Sequence, residues 1–170
     1  MKQKRSILLV DDDAAVRDVI RGILEREYLI LEASGCGEIP ELCKFQIDLA
    51  IIDYILPDGN GFDVLKTIRE KNQMTPAIII TAHGDEELVI EAMRREVIDY
   101  IKKPIQLTYL RKRIGEIFLK QKDGRDLEPI STREEIILDS VREFIHKNYM
   151  KALSLEAISR MACMNRFKFC

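Results

Sequence analysis

The stretch Ala50-Ile51-Ile52-Asp53-Tyr54-Ile55-Leu56-Pro57-Asp58-Gly59 decides how the chain is read. A short apolar run ends in a carboxylate, and a Pro/Gly turn follows. Runs this short, bounded by turn signals, suit a strand buried on both faces of a parallel sheet. Such a strand delivers Asp53 to the carboxyl edge of the sheet, where open α/β sheets bind ligands. A buried strand has no structural use for a terminal carboxylate, because an unpaired ionised group is costly to bury. Asp is also common at the start of a turn, so this stretch alone leaves a structural reading open beside the functional one.

Working outward, Ile7-Leu8-Leu9-Val10 reads as an earlier buried strand ending in Asp11-Asp12-Asp13. A helix follows from about Ala14 to Glu27, with Val16, Val19, Ile20, Ile23 and Leu24 on one face at helical spacing. Tyr28 to Ala33 reads as a strand, and Glu38 to Lys44 as a short helix that tolerates Pro40 in its first turn. Beyond Asp53, a loop through Gly61 leads to a helix from Phe62 to about Lys71. Ala77 to Thr81 is a fourth strand, and Ala82-His83-Gly84 is a loop. Asp85 is placed to cap a helix with Leu88, Val89, Ala92 and Met93 inward. Val97 to Ile101 is a fifth strand, followed by Lys102-Lys103-Pro104 and a helix with Leu107, Leu110, Ile114 and Ile117 on its inner face. This alternation predicts an α/β protein with a doubly wound five-stranded parallel sheet, right-handed crossovers and helices on both faces.

The composition narrows the function. A formal net charge of −2 predicts neither a strongly basic nucleic-acid binder nor an acidic tail. Residues 130–170 carry seven Lys/Arg against five Asp/Glu, leaving the acidic excess in the preceding segment and pointing to two segments with different partners. Cys36, Cys43, Cys163 and Cys170 form no pair or cluster with zinc spacing, so reduced thiols are expected. Asp11-Asp12-Asp13 interrupts the first apolar run far too early for a secretory signal, and no apolar stretch approaches the ~20 residues that span a membrane. A soluble cytoplasmic protein is expected.

Four of the five strands lead to residues suited to phosphate and metal chemistry: Asp11 and Asp12, Asp53, Thr81, and Lys103 just beyond the fifth. All converge on one edge. Crowded carboxylates repel unless a cation neutralises them, and oxygen ligands favour a hard ion such as Mg2+. A lysine ammonium and a threonine hydroxyl can each meet a phosphoryl oxygen. Asp53 then becomes a nucleophile towards phosphorus, forming an acyl phosphate. Helix capping, strand propensity and solvation account for each residue singly but poorly for their joint placement.

Residues 6–120 resemble the receiver domain of two-component response regulators. The resemblance rests on Val-Asp-Asp-Asp at 10–13, Asp53 followed by Leu-Pro-Asp-Gly at 56–59, Thr-Ala-His-Gly at 81–84, and Asp-Tyr-Ile-Lys-Lys-Pro at 99–104. It implies a flavodoxin-like fold over residues 1–121, and phosphorylation of Asp53 by a sensor histidine kinase. It implies Mg2+ on Asp11, Asp12, Asp53 and the backbone carbonyl of Ile55, and a cis peptide before Pro104. It also implies a switch in which Thr81 moves towards the phosphoryl group and Tyr100 turns into the vacated space, with homodimerisation on phosphorylation. Asp13 is expected to cap a helix, and His83 to be a loop residue. The family often has Gly-Ala where this chain has Glu96-Val97; if the backbone there needs a positive φ, Glu96 is strained.

Residues 122–130 read as a linker, and 131–170 as a short all-α segment. Residues 136–169 resemble the start of an AraC-type helix-turn-helix domain, on Ile-His-Lys-Asn-Tyr at 145–149, Leu-Ser-Leu-Glu-Ala-Ile-Ser at 153–159 and Met-Asn-Arg-Phe-Lys-Phe at 164–169. The resemblance implies that Asn165, Arg166 and Lys168 open a recognition helix. The family has two such units and this chain ends inside the first, so a truncated domain with weak or no DNA binding of its own is expected. The whole reads as a phosphorylation-activated transcription regulator, not an enzyme. Two rivals remain: a HAD-like phosphohydrolase, whose nucleophile is an Asp after the first strand, and a phosphorylation-independent interaction module.

Overall fold

The computed structural model describes residues 4–82 and 86–122. They fall in two compact units, residues 4–82 with 97–122, and residues 86–96. The first unit holds strands β1 (Ser6–Val10), β2 (Leu29–Ala33), β3 (Leu49–Asp53), β4 (Ile55–Leu56), β5 (Gly59–Asn60), β6 (Ala77–Thr81) and β7 (Asp99–Lys102). Its helices are α1 (Ala14–Leu24), α2 (Ile39–Leu42), α3 (Gly61–Lys71) and α5 (Leu107–Lys122); helix α4 (Glu86–Arg94) belongs to the second unit.

Five strands form a parallel sheet in the order β2-β1-β3-β6-β7. Every residue of β1, β3 and β6 is buried, as expected of central strands covered on both faces. Each Ile or Leu so enclosed contributes roughly 1.5–3 kcal/mol. The β1-α1-β2 connection runs one way along the sheet and β3-α3-β6 the other. Right-handed crossovers therefore put α1 and α3 on opposite faces. Helix α1 packs with α5, Tyr28 in the connection after α1 sets its ring 5.2 Å from that of Phe118 on α5, and α3 packs with α2. The order reverses between β1 and β3, and this switch point opens a crevice at their carboxyl ends.

Local chemistry sets the helix starts. Asp13 caps α1 by accepting from the Ala15 N–H at 2.8 Å, as expected for that residue. Asn60 and Asp63 form a reciprocal capping box on α3. Gly61 lets that helix begin against the end of β3, since a Cβ there would lie 2.7 Å from the Asp53 carbonyl oxygen. Asp58 accepts from the Cys36 and Gly37 N–H groups at 2.7 and 2.8 Å, which hold its carboxyl below the usual range and tie the loop after β2 to the loop after β3.

Some boundaries differ from the sequence expectation. Pro57-Asp58 is the turn of a two-stranded antiparallel hairpin, β4-β5, where a plain loop is expected. Helix α1 ends at Leu24, short of Glu27. The short helix expected from Glu38 to Lys44 is a 3-10 turn over Cys36–Glu38 followed by α2. Strand β7 starts at Asp99; Val97 and Ile98 are buried in the connection before it, and the Ile98 N–H already donates to the Ala77 carbonyl of β6 at 2.8 Å, so the apolar pattern runs ahead of the strand. The expected Asp85 cap, the linker and the helix-turn-helix segment, with Asn165, Arg166 and Lys168, lie outside the described residues.

Glu96 has φ 50°, the left-handed conformation that the departure from Gly-Ala anticipates. An L-residue pays about 1–2 kcal/mol there, a cost glycine escapes. Glu96→Gly is expected to raise the unfolding free energy by about 1 kcal/mol, read as a higher urea midpoint at unchanged slope.

Candidate functional site

Strand register brings the chemistry together. Asp53 closes β3, one residue beyond the pairing of Val10 with Ile52, so the residue after β1, Asp11, lies beside it. Lys103 follows β7, and its backbone N–H donates to the Thr81 carbonyl at 2.8 Å, extending the ladder past Thr81 and Lys102. The Lys103–Pro104 peptide is cis, as the resemblance implies.

The Lys103 ammonium donates to Asp11 Oδ2 at 2.9 Å and to Asp53 Oδ2 at 2.5 Å, bridging two buried carboxylates that are 1% and 6% exposed. The Asp13 N–H donates to Asp11 Oδ1 at 2.9 Å, and the Ile55 N–H to Asp53 Oδ1 at 3.2 Å. Burial pushes the Asp11 carboxyl above its ordinary range, and Lys103 and the Asp13 N–H only partly offset that. Burial likewise pulls the Lys103 ammonium down, but its bonds to Asp53 and Asp11 and their charges together outweigh it and hold the group above its usual value.

Asp12 is exposed and completes the cluster: one oxygen from each of Asp11, Asp12 and Asp53 lies within 4.8 Å of the others. Three carboxylates face one ammonium, leaving unbalanced negative charge in a small space. Hard oxygen donors at this spacing fit a divalent ion such as Mg2+, which takes one or two carboxylates and keeps waters. Thr81 ends β6 fully buried at the same edge, and Tyr100 is half-buried on β7. The structure thus gathers Asp11, Asp12, Asp53 and Lys103, and sets Thr81 at their rim. His83 lies outside the described residues.

One neighbour is not legible from motifs. Arg17, on α1, donates from Nη1 to the Asp11 carbonyl oxygen at 2.6 Å, and its Nε lies 3.7 Å from Glu32 on β2. The available signal is a basic residue one turn into the helix that follows the aspartates, a position usually solvated. Beside Lys103 a shallow apolar groove of about 350 Å³ runs between α1 and the start of α5, lined by Ala15, Val16, Val19, Pro104 and Ile105 among others. Among the described residues no helix is long and apolar enough to cross a membrane.

The same residues match known proteins. Residues 7–115 match the family model described as response regulator receiver domain. The chain is 35% identical over 143 residues to the alginate biosynthesis transcriptional regulatory protein AlgB of Pseudomonas aeruginosa, covering 83% of this chain and 30% of that one. It is 40% identical over 100 residues to the transcriptional regulatory protein ResD of Bacillus subtilis, covering 58% and 41%. A solved CheY-like receiver domain from Methanospirillum hungatei superposes with a TM-score of 0.66 at 28% identity, covering 71% of this chain and 99% of that one. The chain thus spans less than half the length of these curated relatives.

Proposed function

The chain belongs to the response regulator receiver family, and from that premise we propose that it is a phosphorylation-activated switch of a two-component system, with Asp53 as acceptor and Mg2+ as cofactor. The observation that carries this reading is the Lys103 ammonium bridging Asp11 and Asp53 inside a three-carboxylate cluster at the switch point of the sheet. Asp11, Asp12, Asp53 and the Ile55 carbonyl would hold the ion. When bound, it offsets charge between the acceptor carboxylate and the phosphoryl oxygens.

An Asp53 carboxylate oxygen attacks the phosphorus of a phosphohistidine on a sensor kinase. The P–N bond breaks, the released imidazole nitrogen takes a proton from solvent, and an acyl phosphate remains on Asp53. Lys103 turns from the carboxylates to a phosphoryl oxygen, and the Thr81 hydroxyl donates to another. Tyr100 turns into the space Thr81 leaves, and the surface around β7 changes packing; one added charge suffices to bias two packings. The apolar groove between α1 and α5 suits a helical partner such as the kinase, delivering its phosphohistidine beside Lys103.

In this reading residues 1–121 form the receiver, 122–130 a linker, and 131–170 part of an AraC-type output domain. Names of relatives such as AlgB and ResD support a transcriptional output. Dimerisation on phosphorylation and a cytoplasmic location belong to the same proposal.

Incubation of the full chain with acetyl phosphate tests it. We expect a mass increase of one phosphoryl group that needs Mg2+ and maps to Asp53. An adduct on Asp11 would overturn the reading in favour of a phosphohydrolase, and no Mg2+-dependent adduct would favour an interaction module.

A further inference from the structure

We propose that Arg17 is a positioning residue for the divalent-ion site, acting through the Asp11–Asp12 peptide. Arg17 acts in this way only if Asp11 and Asp12 hold a divalent ion, as proposed above.

The three carboxylates differ in what anchors them. Asp11 is held by Lys103 and by the Asp13 N–H, and Asp53 by Lys103 and the Ile55 N–H. Asp12 belongs to the same cluster but is exposed and far less tethered: among the described residues, no hydrogen bond or ion pair fixes its carboxylate. Its direction is set by its backbone. The peptide joining Asp11 to Asp12 is planar, so fixing the Asp11 carbonyl fixes the path of the chain into Asp12. The Asp11 N–H is paired with the Ala33 carbonyl at the end of the β ladder, and the Asp11 carbonyl accepts from Arg17 Nη1 at 2.6 Å.

Arg17 is itself held. Its side chain is mostly covered, its Nε faces Glu32, and Glu32 is fixed from the other side by Arg21 Nη1 at 2.8 Å. Thus β2 braces α1, and α1 braces the peptide that carries Asp12. The planar guanidinium makes both contacts at once from one rigid fork, which a lysine ammonium cannot reproduce.

The sign of one measurement separates positioning from mere charge. Arg17 is a permanent cation close to the carboxylates. If it acted only by charge, its removal would strengthen cation binding. If it positions Asp12, its removal weakens binding, and losses of about tenfold are typical when a hydrogen bond that orients a metal ligand is cut.

Calorimetric titration of MgCl2 into the full chain reads this directly. We expect Arg17→Gln to bind Mg2+ about tenfold more weakly than the wild type, Arg17→Lys to fall between them, and Glu32→Gln to weaken binding in the same direction. Circular dichroism melts without Mg2+ establish that each variant is folded; should Arg17→Gln not fold, Arg17→Lys, which keeps the charge and loses the fork, decides. Wild-type Mg2+ binding that Asp12→Asn removes, with Arg17→Gln as tight as wild type or tighter, would overturn the positioning role alone. Absence of Mg2+ binding in the wild type would overturn the metal reading and this role with it.

Discussion

Asp53→Asn is expected to lose Mg2+-dependent phosphoryl uptake from acetyl phosphate, a drop of at least about a thousandfold, while remaining folded. The amide lacks the anionic oxygen that attacks phosphorus. The side chain keeps its shape, and its remaining carbonyl oxygen can still accept from the Ile55 N–H or from Lys103, the two donors on Asp53 now. Removing one carboxylate also relieves repulsion on Asp11, whose carboxyl is raised chiefly by burial and in smaller part by the Asp53 charge. Lost uptake with an unchanged melting curve therefore isolates chemistry from folding. Residual uptake mapping to Asp11 or Asp12 would instead show that the crowded carboxylates share the acceptor role.

How much of this was open to sequence reading depends on the range of each interaction. The central strands are legible because β1, β3 and β6 are buried along their whole length, and such strands read as unbroken apolar runs. The acidic cluster and Lys103 are legible because parallel strands all present their carboxyl ends to one edge, which turns distant positions into neighbours without any knowledge of packing. Asp13 is legible as a cap because capping is local. What is not legible depends on contacts across the chain. Asp58 gripping the N–H groups of Cys36 and Gly37 needs two loops to meet, and Arg17 reaching the Asp11 carbonyl needs the rotation of α1 about its axis. The β4-β5 hairpin is too short for any periodicity to announce it.

Arg113 is the instructive omission, and it carries the second large effect. It sits three residues after Leu110 and four before Ile117, on the apolar face of α5, where its spacing signals a buried charge in need of a partner. That partner is Asp99 at the start of β7. Arg113 Nε and the Tyr109 hydroxyl both donate to Asp99 Oδ2 at 2.8 Å, and the Tyr100 N–H donates to Oδ1 at 2.8 Å. Asp99 and Arg113 are 2% and 4% exposed. Burial, with the Asp99 charge adding to it, pushes the Tyr109 hydroxyl up to about 12, so it remains a donor at neutral pH. Arg113→Met leaves the Asp99 carboxylate buried with no cation against it among the described residues, and we expect a loss of about 3 kcal/mol in urea unfolding. Adding Asp99→Asn to that variant removes the stranded charge and should recover part of the loss, because a buried ion pair is worth far less than the cost of breaking it. Full additivity of the two substitutions would show that Tyr109 and the Tyr100 N–H already satisfy Asp99 without Arg113. Since the Tyr100 backbone hangs on the same carboxylate, coupling between the two substitutions would also place the pair where it can steady the strand that carries the proposed switch.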